Sequence, residues 1–338
     1  MNRYIAIPMG ECAGIGPEII VKALSCDMRR QFGSILVVGD RALFTRLSRD
    51  LHIPLPFTSF VSDDKALERA MMNGESTIFY DIPCVDMEAF AYGVSSADTG
   101  MACYTTTAKA VSLIQNSYAS ALVTVPLDAR SLAMAGIGNT RYETMIGELT
   151  SSGRGVTMLD VGGVKIFSHT HHIPLRQALD QVTFEKILDT IIRVDSLTQE
   201  KGVFELDKPL AIASVNPVHA DSIVWGPEEV DVIIPAIEKA RQLGIDIVGP
   251  VGADHLMHRA AKGRYRAVIA LFHDQAHIAA MSLDFEHTVT VNWGWPFLAV
   301  RVDRGACLDK AGRGVMVPVS LTQALCVARD YIIRGVVS

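Results

Sequence analysis

Hydrophobic positions along the chain follow two rhythms that alternate almost from end to end. Short continuous apolar runs mark strands buried on both faces: residues 4–8 (YIAIP), 35–39 (ILVVG), 121–125 (ALVTV), 164–167, 210–215 and 267–272 (AVIALF). Between them, helical stretches are expected at 17–23, through Leu43 and Leu47, and at 105–115, 184–197, 228–243 and 321–333; the last two show apolar residues three and four apart with charges opposite. Pro17 suits the first turn of its helix, where no N–H is needed. Strands alternating with helices predict an α/β fold on a mostly parallel sheet with covered faces. No repeat, low-complexity tract or linker interrupts the pattern. The histidine-rich middle is where two lobes are expected to meet.

Composition narrows the function classes. The 338 residues are 49% hydrophobic, enough for a large core that needs neither disulfide nor metal to fold. With 31 basic against 37 acidic residues the net charge is −6, and no Lys/Arg run stands out. Phosphate-backbone binding needs a basic face, so nucleic acid is not an expected partner. No apolar run is long enough to span a bilayer, and the N-terminus lacks the apolar stretch of a signal peptide. Six scattered cysteines without a C-x-x-C pair fit reduced thiols, so a soluble, cytoplasmic protein is expected.

Four groups of residues carry candidate chemistry. Residues 10–18 (GECAGIGPE) follow a strand and enter a helix. The segment is either a tight structural turn or an anion-holding one; it matches neither the dinucleotide nor the phosphate-loop fingerprint. Histidines gather at predicted strand ends, where open α/β sheets place ligands: His169, His171 and His172 after one, His219 after another, His273 and His277 after a third. Each alone reads as an ordinary hydrogen-bonded side chain; three strand ends together point to a divalent metal with open positions for substrate. His273 and His277 also fit one face of a helix. Asp254 and Asp274 are candidate acid/base groups, or Asp274 orients His273 or caps the following helix. The polar, glycine-punctuated residues 303–314, with Asp303, Gly305, Asp309 and Gly312, form either a cofactor loop or an ordinary connection.

In order and spacing, these segments resemble the 4-hydroxythreonine-4-phosphate dehydrogenase family of vitamin B6 biosynthesis. The resemblance runs from residue 5 to about 325. It rests on GECAGIGPE at 10–18, MAGI at 134–137, HIPL at 172–175 and N-P-x-H at 216–219. It continues through G-P-x-G-A-D at 249–254, HDQ at 273–275, G-x-P-F at 294–297 and D-x-A-G-x-G at 309–314. The resemblance implies an isocitrate-dehydrogenase-like fold of two intertwined α/β lobes and a homodimer with shared active sites. It implies NAD or NADP as hydride acceptor and a divalent metal (Zn, Co, Ni, Mn or Mg) held by His172, His219 and His273, one contributed by the other subunit. The loop with Asp303, Gly305, Asp309 and Gly312 is then the expected cofactor contact.

The chain departs from the family where the substrate phosphate should sit. The phosphate lysine, asparagine and arginine fall on Met281, Thr290 and Ala299, and the substrate-contacting His-Thr falls on Tyr142-Glu143. The lysine-containing P-V-H-K segment reads Pro-Leu-Asp-Ala at 126–129. Val218 interrupts N-P-H before His219. A phosphate dianion needs charge-assisted donors, and three have become a thioether, a hydroxyl and a methyl. Dehydrogenases acting on cis-dihydrodiol carboxylates of terephthalate degradation are similar at Tyr142, 252–254 and 273–277, yet keep a basic residue at Met281. Trp293 and Trp295 either wall a cyclic substrate or pack inside. The expectation is a metal-dependent dehydrogenase of a small unphosphorylated hydroxy acid, in which decarboxylation can follow oxidation. The alternatives are a true 4-hydroxythreonine-4-phosphate dehydrogenase with its anion site moved to Arg130, Arg141 or Arg301, and a catalytically silent metabolite-binding relative.

Overall fold

Apolar runs of the length and spacing described above become strands, and the amphipathic stretches become their covering helices. The computed structural model describes residues 4–153, 155–200, 202–217 and 226–336. The described residues divide into two compact units, one of residues up to 155 with 291–333 and the other of residues between 156 and 290 with 334–336. The division falls at 155/156 and 290/291, so the histidine-rich residues 169–172 lie inside the second unit and not at the boundary expected for them.

The first unit contains β1 (Tyr4–Pro8), α1 (Gly16–Ser25), β2 (Ser34–Gly39), α2 (Arg41–Leu51), β3 (Ser59–Val61), α3 (Asp64–Met72), β4 (Thr77–Asp81), α4 (Ala97–Gln115), β5 (Ala121–Thr124), α5 (Ala129–Met134) and α6 (Tyr142–Leu149). In the second lie β6 (Val156–Val161), β7 (Val164–Ser168), α7 (Leu175–Asp180), α8 (Phe184–Glu200), β8 (Leu210–Ala213), α9 (Ile234–Gln242), β9 (Ile247–Val251), α10 (Ala253–Ala261), β10 (Ala267–Ala270) and α11 (His273–Leu283). The chain returns through β11 (Val289–Trp293) to β12 (Leu298–Val302) and α12 (Val319–Ile333).

Strands of the first unit run β3-β4-β2-β1-β5-β12, each pair parallel; the second runs β6-β7-β10-β8-β9, parallel except for the β6–β7 hairpin. That hairpin turns on Gly162-Gly163, both at positive φ, as a two-residue turn between Val161 and Val164 requires. Leu36, Val38, Ile78 and Leu122 centre one core; Leu159, Ile166, Leu256 and Val268 centre another. The α/β class and mostly parallel strands agree with the sequence pattern. Two predicted helices begin differently from it. Ser96 closes a capping box with Thr99 and starts α4 eight residues before 105, where the apolar rhythm is weak. The stretch 228–243 opens as a π-helix over Glu228–Ile233, because Pro235 has no N–H for the regular ladder. Among the described residues, no helix is long and apolar enough to cross a membrane.

Candidate active site

Two neighbouring strand ends of the second unit bring the described histidines together. β7 and β10 are parallel neighbours, and the His169 N–H donates to the Ala270 carbonyl at 2.8 Å, so the segments leaving them start side by side. After β7 the chain reaches His172 at φ +48°, a left-handed conformation uncommon for any residue but glycine. After β10 it enters α11 at His273. The result is that His172 and His273 lie with ring centroids 4.9 Å apart. His277, one turn along α11, stacks on His273 at 4.0 Å and stands 6.0 Å from His172.

Neighbouring side chains fix this arrangement. Asp274 accepts from His273 Nδ1 at 2.7 Å, which leaves Nε2 as the ring's outward lone pair when the imidazole is neutral. Gln275 accepts from the Leu271 N–H at 2.9 Å and donates to the Ser214 carbonyl at 2.8 Å, tying the ends of β10 and β8 together. Buried Glu229 accepts from the N–H groups of Val215 and Asn216 and from the Asn216 carboxamide, at 2.6–2.9 Å, and so secures the start of N-P-x-H. His219 itself lies outside the described residues. His169 is not part of the cluster: both its nitrogens are bonded, to Thr190 and the Gln181 carbonyl, and burial holds its pKa below the usual imidazole value. Among the described residues, no three His, Cys, Asp or Glu side chains form a complete metal-holding set. The two imidazoles, one with its outward nitrogen set by a carboxylate, suit a borderline divalent cation that takes further donors from elsewhere.

The other candidates in this unit are Asp254, Met281 and Thr290. Asp254 is exposed in the first turn of α10, accepting from the His255 N–H at 2.8 Å. Met281 is half-buried on α11. Thr290 on β11 is fully buried, and its hydroxyl has no hydrogen-bond partner among the described residues.

In the first unit the 10–18 turn and the 303–314 loop are one assembly. Ile15 N–H donates to the Ala306 carbonyl at 3.0 Å, and a methyl on Gly14 would meet that same carbonyl oxygen at 2.7 Å. Glu18, fully buried, accepts from Lys22 at 2.8 Å, from the Met316 N–H at 3.0 Å and from the Gly314 N–H at 3.3 Å. Lys22 also donates to the carbonyls of Gly314 and Met316, each at 2.7 Å. Glu11 is buried against Ser131 and the Ala13 N–H; desolvation raises its pKa despite these bonds. Within the loop, Gly305 and Asp309 are exposed, and Gly312 packs against the face of Tyr92.

The remaining substrate candidates lie on α6 and β12. Tyr142 is buried, its hydroxyl donating to the Val125 carbonyl at 2.9 Å, with its pKa pushed up by burial; its phenol belongs to the core. Ala299 is buried in that core too. Glu143 is paired with Arg301, and Asp303 lies 3.8 Å from the same guanidinium. Arg130 and Arg141 are exposed. The two tryptophans pack inside: Trp293 stacks on Tyr331, and Trp295 donates to the Gly153 carbonyl at 3.2 Å. Sequence reasoning missed the Glu18–Lys22 clamp and the roles of Gln275 and Glu229; only Glu18 and Lys22 carried a signal, their spacing of four.

Comparison with known proteins agrees with these motifs. Residues 31–328 match the family described as pyridoxal phosphate biosynthetic protein PdxA. A Fusobacterium nucleatum protein named "Putative D-threonate 4-phosphate dehydrogenase" is 34% identical over 98% of both chains. The Klebsiella pneumoniae 4-hydroxythreonine-4-phosphate dehydrogenase structure superposes with a TM-score of 0.83 at 28% identity, over 97% of this chain and 98% of that one. A terephthalate 1,2-cis-dihydrodiol dehydrogenase from Burkholderia xenovorans, at 22% identity and a TM-score of 0.61 over 97% of both chains, shares the fold. With its histidine strand ends, its glycine turn and nearly its whole length accounted for, the chain belongs to the PdxA family of oxidoreductases.

Proposed function

We propose that this chain is a divalent-metal-dependent NAD(P) dehydrogenase that oxidises a secondary hydroxyl of a small, unphosphorylated hydroxy acid. The observation that carries the substrate class is the set Met281, Thr290 and Ala299. None of the three brings a positive charge where relatives of this family would meet a phosphate, and the one hydroxyl among them, on Thr290, is fully buried.

A divalent cation held by imidazoles would supply Lewis-acid stabilisation of negative charge at the reacting oxygen. His172 and His273 would hold it, with His219 assigned as the third ligand from the N-P-x-H segment. Asp274 orients His273; Asp254, an exposed carboxylate in the first turn of α10, is assigned a proton-handling role by its place in G-P-x-G-A-D alone. NAD(P)+ would accept hydride, two electrons with one proton, from the carbinol carbon, leaving a ketone. Where a carboxylate lies β to that ketone, the C–C bond to it would break with release of carbon dioxide, its electron pair passing to an enolate that takes up a proton from water. Asp303, Gly305, Asp309 and Gly312 are assigned to the cofactor, and a second copy of the chain completes each site.

A second reading is favoured by the names of the relatives: a phosphorylated four-carbon hydroxy acid as substrate. NAD(P) reduction with paired phosphorylated and unphosphorylated hydroxy acids, with and without chelator, tests both. Turnover of unphosphorylated acids that is lost with chelator and restored by divalent metal is expected. Chelator-insensitive turnover removes the metal, and faster turnover of the phosphorylated partner removes the substrate class.

A further inference from the structure

The guanidinium of Arg301 sits at an informative place. Its strand, β12, runs parallel to β5, so Arg301 lies toward the C-terminal edge of the first unit's sheet, the edge where α/β sheets bind ligands. Alternation along the strand puts Ala299 and Arg301 on one face, and Asp303 follows just past its end. A mostly buried arginine with its fork free would be a strong seat for phosphate. Here the fork is already engaged: Glu143 is paired with it, Asp303 is 3.8 Å away, and the side chains of Arg301, Glu143 and Asp303 are only 16%, 15% and 19% exposed.

The local fold explains why Glu143 is there. Tyr142 anchors the start of α6 by donating to the Val125 carbonyl just past β5, the strand that pairs with β12. Glu143, next in the chain, lies in the first turn of that helix, where a carboxylate is favoured by the exposed N–H groups. Its carboxylate therefore reaches the neighbouring strand with little freedom to leave.

We propose that Glu143 is a specificity-determining residue that acts through Arg301: it fills the arginine fork and makes this end of β12 refuse a phosphate group while tolerating a neutral hydroxyl. This rests on the unphosphorylated-substrate reading and explains how the chain enforces it. Glu143 is a positioning residue here, since it meets Arg301 and not the reacting atoms.

The test is a gain of binding, which a merely structural role would not produce. Inorganic phosphate is titrated calorimetrically into wild type, Glu143→Gln, Asp303→Asn and the double variant Glu143→Gln/Arg301→Gln, and the same proteins are assayed with a phosphorylated and an unphosphorylated four-carbon hydroxy acid. Glu143→Gln, nearly isosteric, is expected to bind phosphate at least about 10-fold more tightly, to shift the substrate ratio toward the phosphorylated acid by a similar factor, and to lose both gains in the double variant. Asp303→Asn is expected to move phosphate affinity in the same direction by a smaller factor, and it decides the matter if Glu143→Gln does not fold. Unchanged phosphate affinity in the folded variants, or a gain that survives removal of Arg301, overturns the proposal. A wild type that already prefers the phosphorylated acid instead overturns the functional reading, and the fold-change between variants remains measurable on its own.

Discussion

Replacing Glu18 by alanine isolates what holds the 303–314 loop against the 10–18 turn. The carboxylate is fully buried and receives three donors, the Lys22 ammonium at 2.8 Å and the N–H groups of Met316 and Gly314 at 3.0 and 3.3 Å. Truncation leaves two amides without their acceptor and an ammonium facing only carbonyl oxygens. Removing one partner of a buried ion pair costs about 3–5 kcal/mol. The Lys22 side chain is 16% exposed, so water relieves part of this and the lower end of that range applies. Glu18→Gln keeps one acceptor oxygen and should cost about 1–2 kcal/mol. Urea unfolding followed by the fluorescence of Trp293 and Trp295, both buried in the same unit, measures the difference. The Michaelis constant for NAD(P) should rise with the same ranking if the loop holds the cofactor. An alanine variant within about 1 kcal/mol of wild type would refute the clamp; equal losses for alanine and glutamine would show that packing matters and the carboxylate does not.

Three further outcomes are expected. Gly14→Ala places a methyl 2.7 Å from the Ala306 carbonyl oxygen, so the two segments must part and stability should fall by about 1–3 kcal/mol in chemical denaturation. Glu11 binds its proton more tightly folded than unfolded, chiefly through desolvation; wild-type stability should therefore decline as pH rises from near 4.5 through the raised folded pKa, and Glu11→Gln should remove that decline in pH-resolved melting curves. Asp274→Asn loosens the orientation of His273 and should weaken metal affinity about 10–100-fold in equilibrium dialysis, with little change in melting temperature without metal; unchanged affinity would mean that Asp274 serves only the helix start.

The strands were legible wherever a continuous apolar run filled a parallel position, as at β1, β2 and β10. β11 (VTVNW) and β12 (LAVRV) were not, because polar residues break the run. Helices were legible where amphipathic; short α5 and α6 offer too few turns to show a period. The histidine pairing could be anticipated because strand ends converge in this class of fold, yet the removal of His169 from the cluster depended on a bonded pocket that no spacing encodes. The Glu18 clamp joins residues 298 positions apart, and the Glu143–Arg301 pair joins residues 158 apart. For the same reason Arg301 looked available for phosphate in the sequence: its charge is visible there and its occupied fork is not.

The central claim is that this PdxA-family chain oxidises a hydroxy acid without a phosphate. The measurement that bears on it most directly is kcat/KM for one four-carbon hydroxy acid and its phosphate ester, compared at saturating NAD(P)+ and divalent metal. A ratio favouring the free acid by at least about 10-fold, or about 1.4 kcal/mol, is predicted; a ratio of equal size favouring the ester would contradict it.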